Sequence, residues 1–121
     1  MMNIRHVSSL VGALLLTLTL SACVSQIMQS QLSQLDKGIS SSETASRLKS
    51  TPLASETITL NARTFVFQRY QLNNGVQSDT YLLAFEDGRL LYWGYPSEFR
   101  RLSDVTLNQA LTQVLPALTR K

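Results

Sequence analysis

One cysteine occurs in the 121 residues, Cys23, and one histidine, His6. Both lie at the two ends of an uncharged stretch, positions 7–20, in which six residues are Leu. Arg5 and His6 precede it, and it runs into the small residues of Leu20-Ser21-Ala22-Cys23. A membrane-crossing helix needs about 20 apolar residues to traverse roughly 30 Å of hydrocarbon, so a retained span is the poorer reading. A positive start, a short apolar core and a small-residue end are the parts of a secretory leader. Positions 1–22 are therefore read as a signal peptide. Positions 23–121 are read as one small domain, which must fold with no disulfide and no histidine.

The tetrapeptide Leu20-Ser21-Ala22-Cys23 resembles the bacterial lipobox. There the cysteine receives a diacylglycerol thioether, the preceding peptide is removed and the new amino terminus is acylated. The other reading of Cys23 is a free thiol left by an ordinary signal peptide cut near Ala22. Secreted cysteines normally pair, so a lone one needs an explanation, and lipidation supplies it. One acyl chain holds a protein only marginally, whereas two or more anchor it stably, which makes the membrane the first expected partner. Val24, not Asp, follows the cysteine. In enteric-type lipoproteins Asp at that position retains the protein at the inner membrane, so the resemblance implies the periplasmic face of the outer membrane.

The 99 residues from Cys23 onward suffice for one core that buries about 60 to 65% of the unfolded surface. Without histidine, and without a thiol once Cys23 is lipidated, Ser-His-Asp, Cys-His and typical zinc chemistry are excluded. No metal and no cofactor is expected. Carboxylate-only chemistry remains formally possible through Glu43, Glu56, Asp79, Glu86, Asp87, Glu98 or Asp104, and no spacing among them singles out an acid/base pair. The chain is therefore not expected to be an enzyme. Beyond the leader, 10 basic and 8 acidic residues are scattered, and no motif points to nucleic acid. Arg100-Arg101 is the densest basic spot, read either as a solvated turn or as a contact for anionic lipid headgroups or lipopolysaccharide.

Ile27, Met28, Leu32, Leu35 and Ile39 recur at helical spacing and predict an amphipathic helix over 25–37, ended by Gly38. Ser40-Ser41-Ser42-Glu43 fits a capping box for a second helix to about Lys49, stopped by Pro52. From Glu56 the period becomes two. Four strands follow, over 56–60, 63–72, 79–86 and 89–95, with turns at Asn61-Ala62, Asn73-Asn74-Gly75 and Asp87-Gly88. Leu107, Leu111, Val114 and Leu118 mark a C-terminal helix that Pro116 should kink or end. The expected fold is α+β: two N-terminal helices, a four-stranded antiparallel meander and a C-terminal helix, packed as a two-layer sandwich.

Leu35-Asp36-Lys37-Gly38-Ile39-Ser40, with Glu43, Leu48 and Pro52 after it, resembles the opening of the SmpA/OmlA, or BamE-like, small outer-membrane lipoproteins. Phe85-Glu86-Asp87-Gly88-Arg89-Leu90 is similar to that family's strand, Asp-Gly turn and strand. Lys49 departs from the pattern, standing where the family prefers Gly. Members include a component of the β-barrel assembly machine, so the resemblance implies a binding module and an envelope protein as partner.

Tyr81, Phe85, Tyr92, Trp93, Tyr95 and Phe99 are concentrated in and around the last two strands. With Leu91, Trp93 and Tyr95 on one face and Leu90 and Tyr92 on the other, the cluster is either sheet core or an exposed aromatic patch of the kind that supplies binding hot spots. Tyr92, Trp93, Tyr95, Phe99, Arg100 and Arg101 are the candidate partner-binding residues, and Gly94 is a gap that another backbone could approach. Thr119-Arg120-Lys121 is similar to the basic ending of the major peptidoglycan-linked lipoprotein, and reads equally as a solvated helix end. The expected function is a non-enzymatic scaffold or accessory subunit of an envelope assembly. The alternative is a periplasmic inhibitor or a lipid- or ligand-binding lipoprotein.

Overall fold

The central strands β3 (Arg63–Asn73) and β4 (Ser78–Glu86) pair antiparallel, with Phe67 opposite Ala84 and Tyr70 opposite Tyr81. The structure, a computed structural model, describes positions 26–120; the leader, Cys23 and Lys121 lie outside them. β2 (Ala54–Leu60) runs antiparallel on one side of β3, and β5 (Arg89–Gly94) antiparallel on the far side of β4. An additional strand, β1 (Ile27–Met28), lies parallel to β3 at Leu72 and Asn73. The sheet is therefore mixed, and the expected pure meander is corrected. β2 begins opposite Arg69, which leaves the last backbone groups of β3 unpaired, and β1 takes that open edge.

The two-layer expectation is corrected as well, because both faces of the central strands are covered. On one face, α3 (Val105–Leu118) and Phe99 of the short α2 (Pro96–Phe99) pack on Phe65, Phe67, Leu82 and Ala84. The inward stripe of α3 is Leu107, Ala110, Leu111, Val114 and Leu118, as its spacing predicts, and Pro116 sits within two residues of the helix end. On the other face, Ile27, Leu35 and Leu48 pack on Tyr70, Leu72, Tyr81, Leu83, Phe85 and Leu90. Tyr81, Leu82, Leu83, Ala84 and Phe85 are all buried. Five consecutive apolar residues leave β4 no face to offer to water, so it demands cover on both.

The second cover comes from the N-terminal segment, which is not the helix its spacing predicts. After β1 the chain makes a 3₁₀ helix over Gln29–Gln34 and then extends through Leu35. Gln31 organises this turn: its side-chain oxygen accepts from the Met28 N–H at 2.6 Å, and its amide donates to the Leu48 carbonyl at 2.6 Å. Pairing Ile27 to β3 prevails over helix formation, because strand pairing buries it completely while a short glutamine- and serine-rich helix would gain little. At the other end of the segment, the Gly38 N–H donates to the Leu90 carbonyl and the Leu90 N–H to the Ile39 carbonyl, each at 2.8 Å. The segment thus crosses the sheet from the β3 edge to the β5 edge.

α1 (Ser41–Leu48) starts as expected, with the Ser40 hydroxyl accepting from the Glu43 N–H at 3.1 Å. The Glu43 carboxylate turns to Arg47 at 3.0 Å, in place of the expected return to the Ser40 amide. The helix ends on Lys49, which takes the left-handed conformation at φ 53°. Asn61 and Ala62, between β2 and β3, also have positive φ, of 51° and 64°. A two-residue hairpin loop with both residues left-handed favours Asn-Gly, and alanine carries a Cβ penalty there.

One ion cluster joins the helical cover to the sheet. Arg63 donates to both carboxylate oxygens of Glu86, at 2.9 and 2.8 Å, and to both of Asp104, at 2.9 Å each. Its guanidinium also lies over the Phe65 ring, 4.7 Å from the centroid. Asp104 is the N-cap of α3, accepting from the Leu107 N–H at 3.0 Å. The guanidinium holds both carboxyls below their usual range. A carboxyl with a depressed folded-state pKa adds stability above its unfolded pKa, and loses it as pH falls through the folded value. Arg63→Ala is expected to destabilise the fold by about 2 kcal/mol at neutral pH, toward the low end for paired charges because the cluster is partly exposed. Below about pH 4.5, stability of the parent chain should fall more steeply than that of Arg63→Ala; parallel urea-denaturation curves across pH would disprove the coupling. At the β2–β3 turn, Ala62→Gly should raise stability by about 0.5 to 1 kcal/mol in the same measurement.

Candidate functional site

The aromatic residues singled out in the sequence are divided between the two cores by an irregularity in β5. Phe85 pairs with Leu90 and Ala84 with Tyr92, which leaves Leu91 as an extra residue, a β-bulge. An extra residue shifts the period-two pattern by one. Leu91 and Tyr92 consequently both face α3, while Leu90, Trp93 and Tyr95 face the N-terminal segment. This corrects the expected grouping of Leu91 with Trp93 and Tyr95, and of Leu90 with Tyr92.

Four of the six then pair with one another inside the protein. Tyr92 meets Phe99 edge to face at a centroid distance of 4.9 Å, and Tyr95 meets Tyr81 in the same manner at 5.2 Å. Phe99 is fully buried, and Tyr92, Trp93 and Tyr95 are half-buried. No single patch contains all four. Gly94 is likewise not an open gap: a Cβ there would lie 2.9 Å from Glu98 Oε1 and 3.3 Å from Glu98 Cβ. The Glu98 carboxylate fills the space and accepts from the Tyr95 N–H at 2.8 Å, closing the turn into α2.

Arg100 and Arg101 are both exposed. Arg100 lines a concavity of about 390 Å³ between α2 and α3, together with the apolar Leu111, Leu115, Pro96 and Pro116 and the polar Asn108, Thr112 and Thr119. A second, shallower concavity continues past Arg100 toward Leu102, Val105 and Gln109. The lining of both contains one cation, neutral amides and hydroxyls, and no carboxylate. The side chain of Asn108 is held in place by donating to the Leu102 carbonyl at 3.1 Å. Such a groove can take an elongated segment with an apolar side and place an acceptor or negative charge on Arg100. Of the six residues proposed from sequence, only Arg100 enters it. The pairing of α3 with Pro96 and Arg100 depends on the path of the 100–104 connection.

Two carboxylates converge, Glu86 and Asp104, but on Arg63, which keeps both ionised; a general acid needs the opposite shift. Burial pushes the Tyr70 phenol up to about 12, and Tyr81 and Tyr92 are also raised by burial, so all three stay neutral at pH 7. Among the described residues no group of three His, Cys, Asp or Glu is arranged to hold a metal ion, and no helix is long and apolar enough to cross a membrane. Comparison with protein-family models, curated proteins and solved structures finds no match to this chain.

The burial pattern separates structural residues from surface ones. Phe99→Ala should cost about 3 to 4 kcal/mol by emptying the space beneath α3, whereas Arg101→Ala should change stability by less than about 0.5 kcal/mol. Equal effects in thermal unfolding would contradict the assignment of Phe99 to the core.

Proposed function

We propose that this chain is a lipid-anchored, non-enzymatic binding module of the cell envelope, attached through Cys23 and engaging a protein segment in the groove beside α3. The observation that carries the binding role is the groove itself: an apolar lining of Leu111, Leu115 and Pro116, neutral polar side chains beside it, and the Arg100 cation, which makes no ion pair among the described residues. Peptide recognition needs that combination, in which apolar contact supplies affinity and a positioned charge supplies register. Attachment is supported by Leu20-Ser21-Ala22-Cys23 after its uncharged run, and the outer membrane by Val24 in place of Asp.

Two local features support kinship with the BamE-like lipoproteins. Lys49, at the position where that family prefers Gly, adopts the left-handed backbone that glycine accommodates best. Asp87 and Gly88 form the turn between β4 and β5 with φ of 52° and 79°. Against enclosed lipid or ligand binding stands the filled space between α3 and the sheet, occupied by Phe65, Phe67, Leu82, Ala84 and Phe99.

A photo-cross-linking residue at Gln109, on the groove rim, should capture one discrete envelope protein in intact cells. The adduct should be lost with Arg100→Glu and absent when the cross-linker is placed at Thr57, on the exposed face of β2. An adduct insensitive to Arg100→Glu would refute the groove. Cys23→Ser should move the chain out of the membrane fraction, and normal fractionation would refute the anchor.

A further inference from the structure

Four large apolar residues are exposed among those described: Met28 at 49%, Leu53 at 43%, Val76 at 92% and Val105 at 64%. Three of them gather toward one end of the sheet. Val76 lies in the turn between β3 and β4, Met28 pairs with Asn73 at the base of that turn, and Leu53 donates its N–H to the Arg69 carbonyl near the start of β2. Val105 is at the other end, next to Asp104 and Arg63.

The turn does not require Val76. Its shape is set by Asn73, whose side-chain oxygen accepts from the Gly75 N–H, and by Asn74, whose oxygen accepts from the N–H groups of Val76 and Gln77. Gly75, at φ 92°, supplies the left-handed position. The valine side chain contributes nothing to this scaffold and projects into solvent, where a polar residue would serve the turn equally well.

The first described residue, Gln26, lies at the same end. The Gln26 side chain bridges the two residues that flank the turn, accepting from Asn73 at 3.2 Å and donating to Ser78 at 3.1 Å. Cys23 precedes Gln26 by three residues, a reach of at most roughly 11 Å. From Asn73 to Arg63, β3 spans about 33 Å, so a lipid on Cys23 cannot lie at the Arg63 end. We infer that the β3–β4 turn rests on the phospholipid surface to which Cys23 is attached, with Val76 inserted at the headgroup level and Met28 beside it. This orientation rests on the lipidation proposed above. Neither 24–36 nor 70–88 contains Lys or Arg, and the nearby Asp79 is bonded to Asn74 and Gln77. The contact made by Val76 is therefore apolar; Lys49, which follows the Leu48 carbonyl bonded to Gln31, is a cation that the fold brings to the Met28 side.

The test uses the full lipidated chain in vesicles of phosphatidylethanolamine and phosphatidylglycerol, with an environment-sensitive fluorophore on Val76→Cys or on Val105→Cys. Cys23, as a thioether, does not react with the label. Quenching by aqueous acrylamide should be at least about threefold weaker at 76 than at 105. The difference should persist when phosphatidylglycerol is omitted or salt is raised. Hydrogen exchange of the unsubstituted chain gives a second reading: added vesicles should protect 74–77 and leave 104–106 unchanged. Mass spectrometry of the same preparation separates the two ways of failing. A chain of unmodified mass overturns both the anchor and the orientation. A lipidated chain with equal quenching at the two positions, or with no vesicle-dependent protection at 74–77, overturns the orientation alone.

Discussion

Arg63 is the residue on which the arrangement of helix and sheet depends. Its guanidinium is shared between Glu86, on the neighbouring strand, and Asp104, which starts α3. Because Asp104 both caps the helix and meets Arg63, the helix cannot begin without being docked at that end of the sheet. With its first turn held there, α3 lays Leu107, Ala110, Leu111, Val114 and Leu118 across Phe65 and Phe67. A cation between two carboxylates also removes the repulsion that would otherwise separate Glu86 from Asp104.

Once α3 closes one face, the opposite face must still be covered, because β4 is apolar at every position from Tyr81 to Phe85. The N-terminal segment provides that cover as a strap. It pairs with β3 through Ile27 and Met28, buries Leu35, and pairs with β5 through Gly38 and Ile39. The same segment protects backbone groups at both edges, where an open strand would invite pairing with another chain. The residues nearest the proposed anchor are therefore part of the folded core, so a lipid on Cys23 would be coupled to the sheet through a very short connection.

The secondary-structure alphabet was largely legible in the sequence. The alternation of Phe65 and Phe67 with Val66, Tyr70 and Leu72, the Ser40 cap, the turns at Asn61-Ala62 and Asp87-Gly88, and the stripe of α3 all follow from local periodicity and turn chemistry. Two features were not. The N-terminal segment has helical spacing, but Ile27 gains more from the vacant edge of β3, which exists only because β2 stops at Ala54. The bulge at Leu91 is also invisible to a period-two pattern, which assigns faces on the assumption that no residue is extra. That single residue removed the aromatic surface as a unit and placed Tyr92 against Phe99. The groove that includes Arg100 was legible only as an isolated basic pair, since its other wall comes from α3.

The sequence by itself determined that the chain after Cys23 contains no cysteine and no histidine, that it mixes strands and helices, and where most of its turns fall. Those properties are local: they depend on residue chemistry and on spacing within a few positions. Tertiary structure alone decided which edge each strand takes, that both sheet faces are covered, which aromatics share a core, and that Val76 and Gln26 lie at one end. These depend on competition between distant segments for the same edge or face, and the outcome is set by burial and pairing summed over the whole sheet.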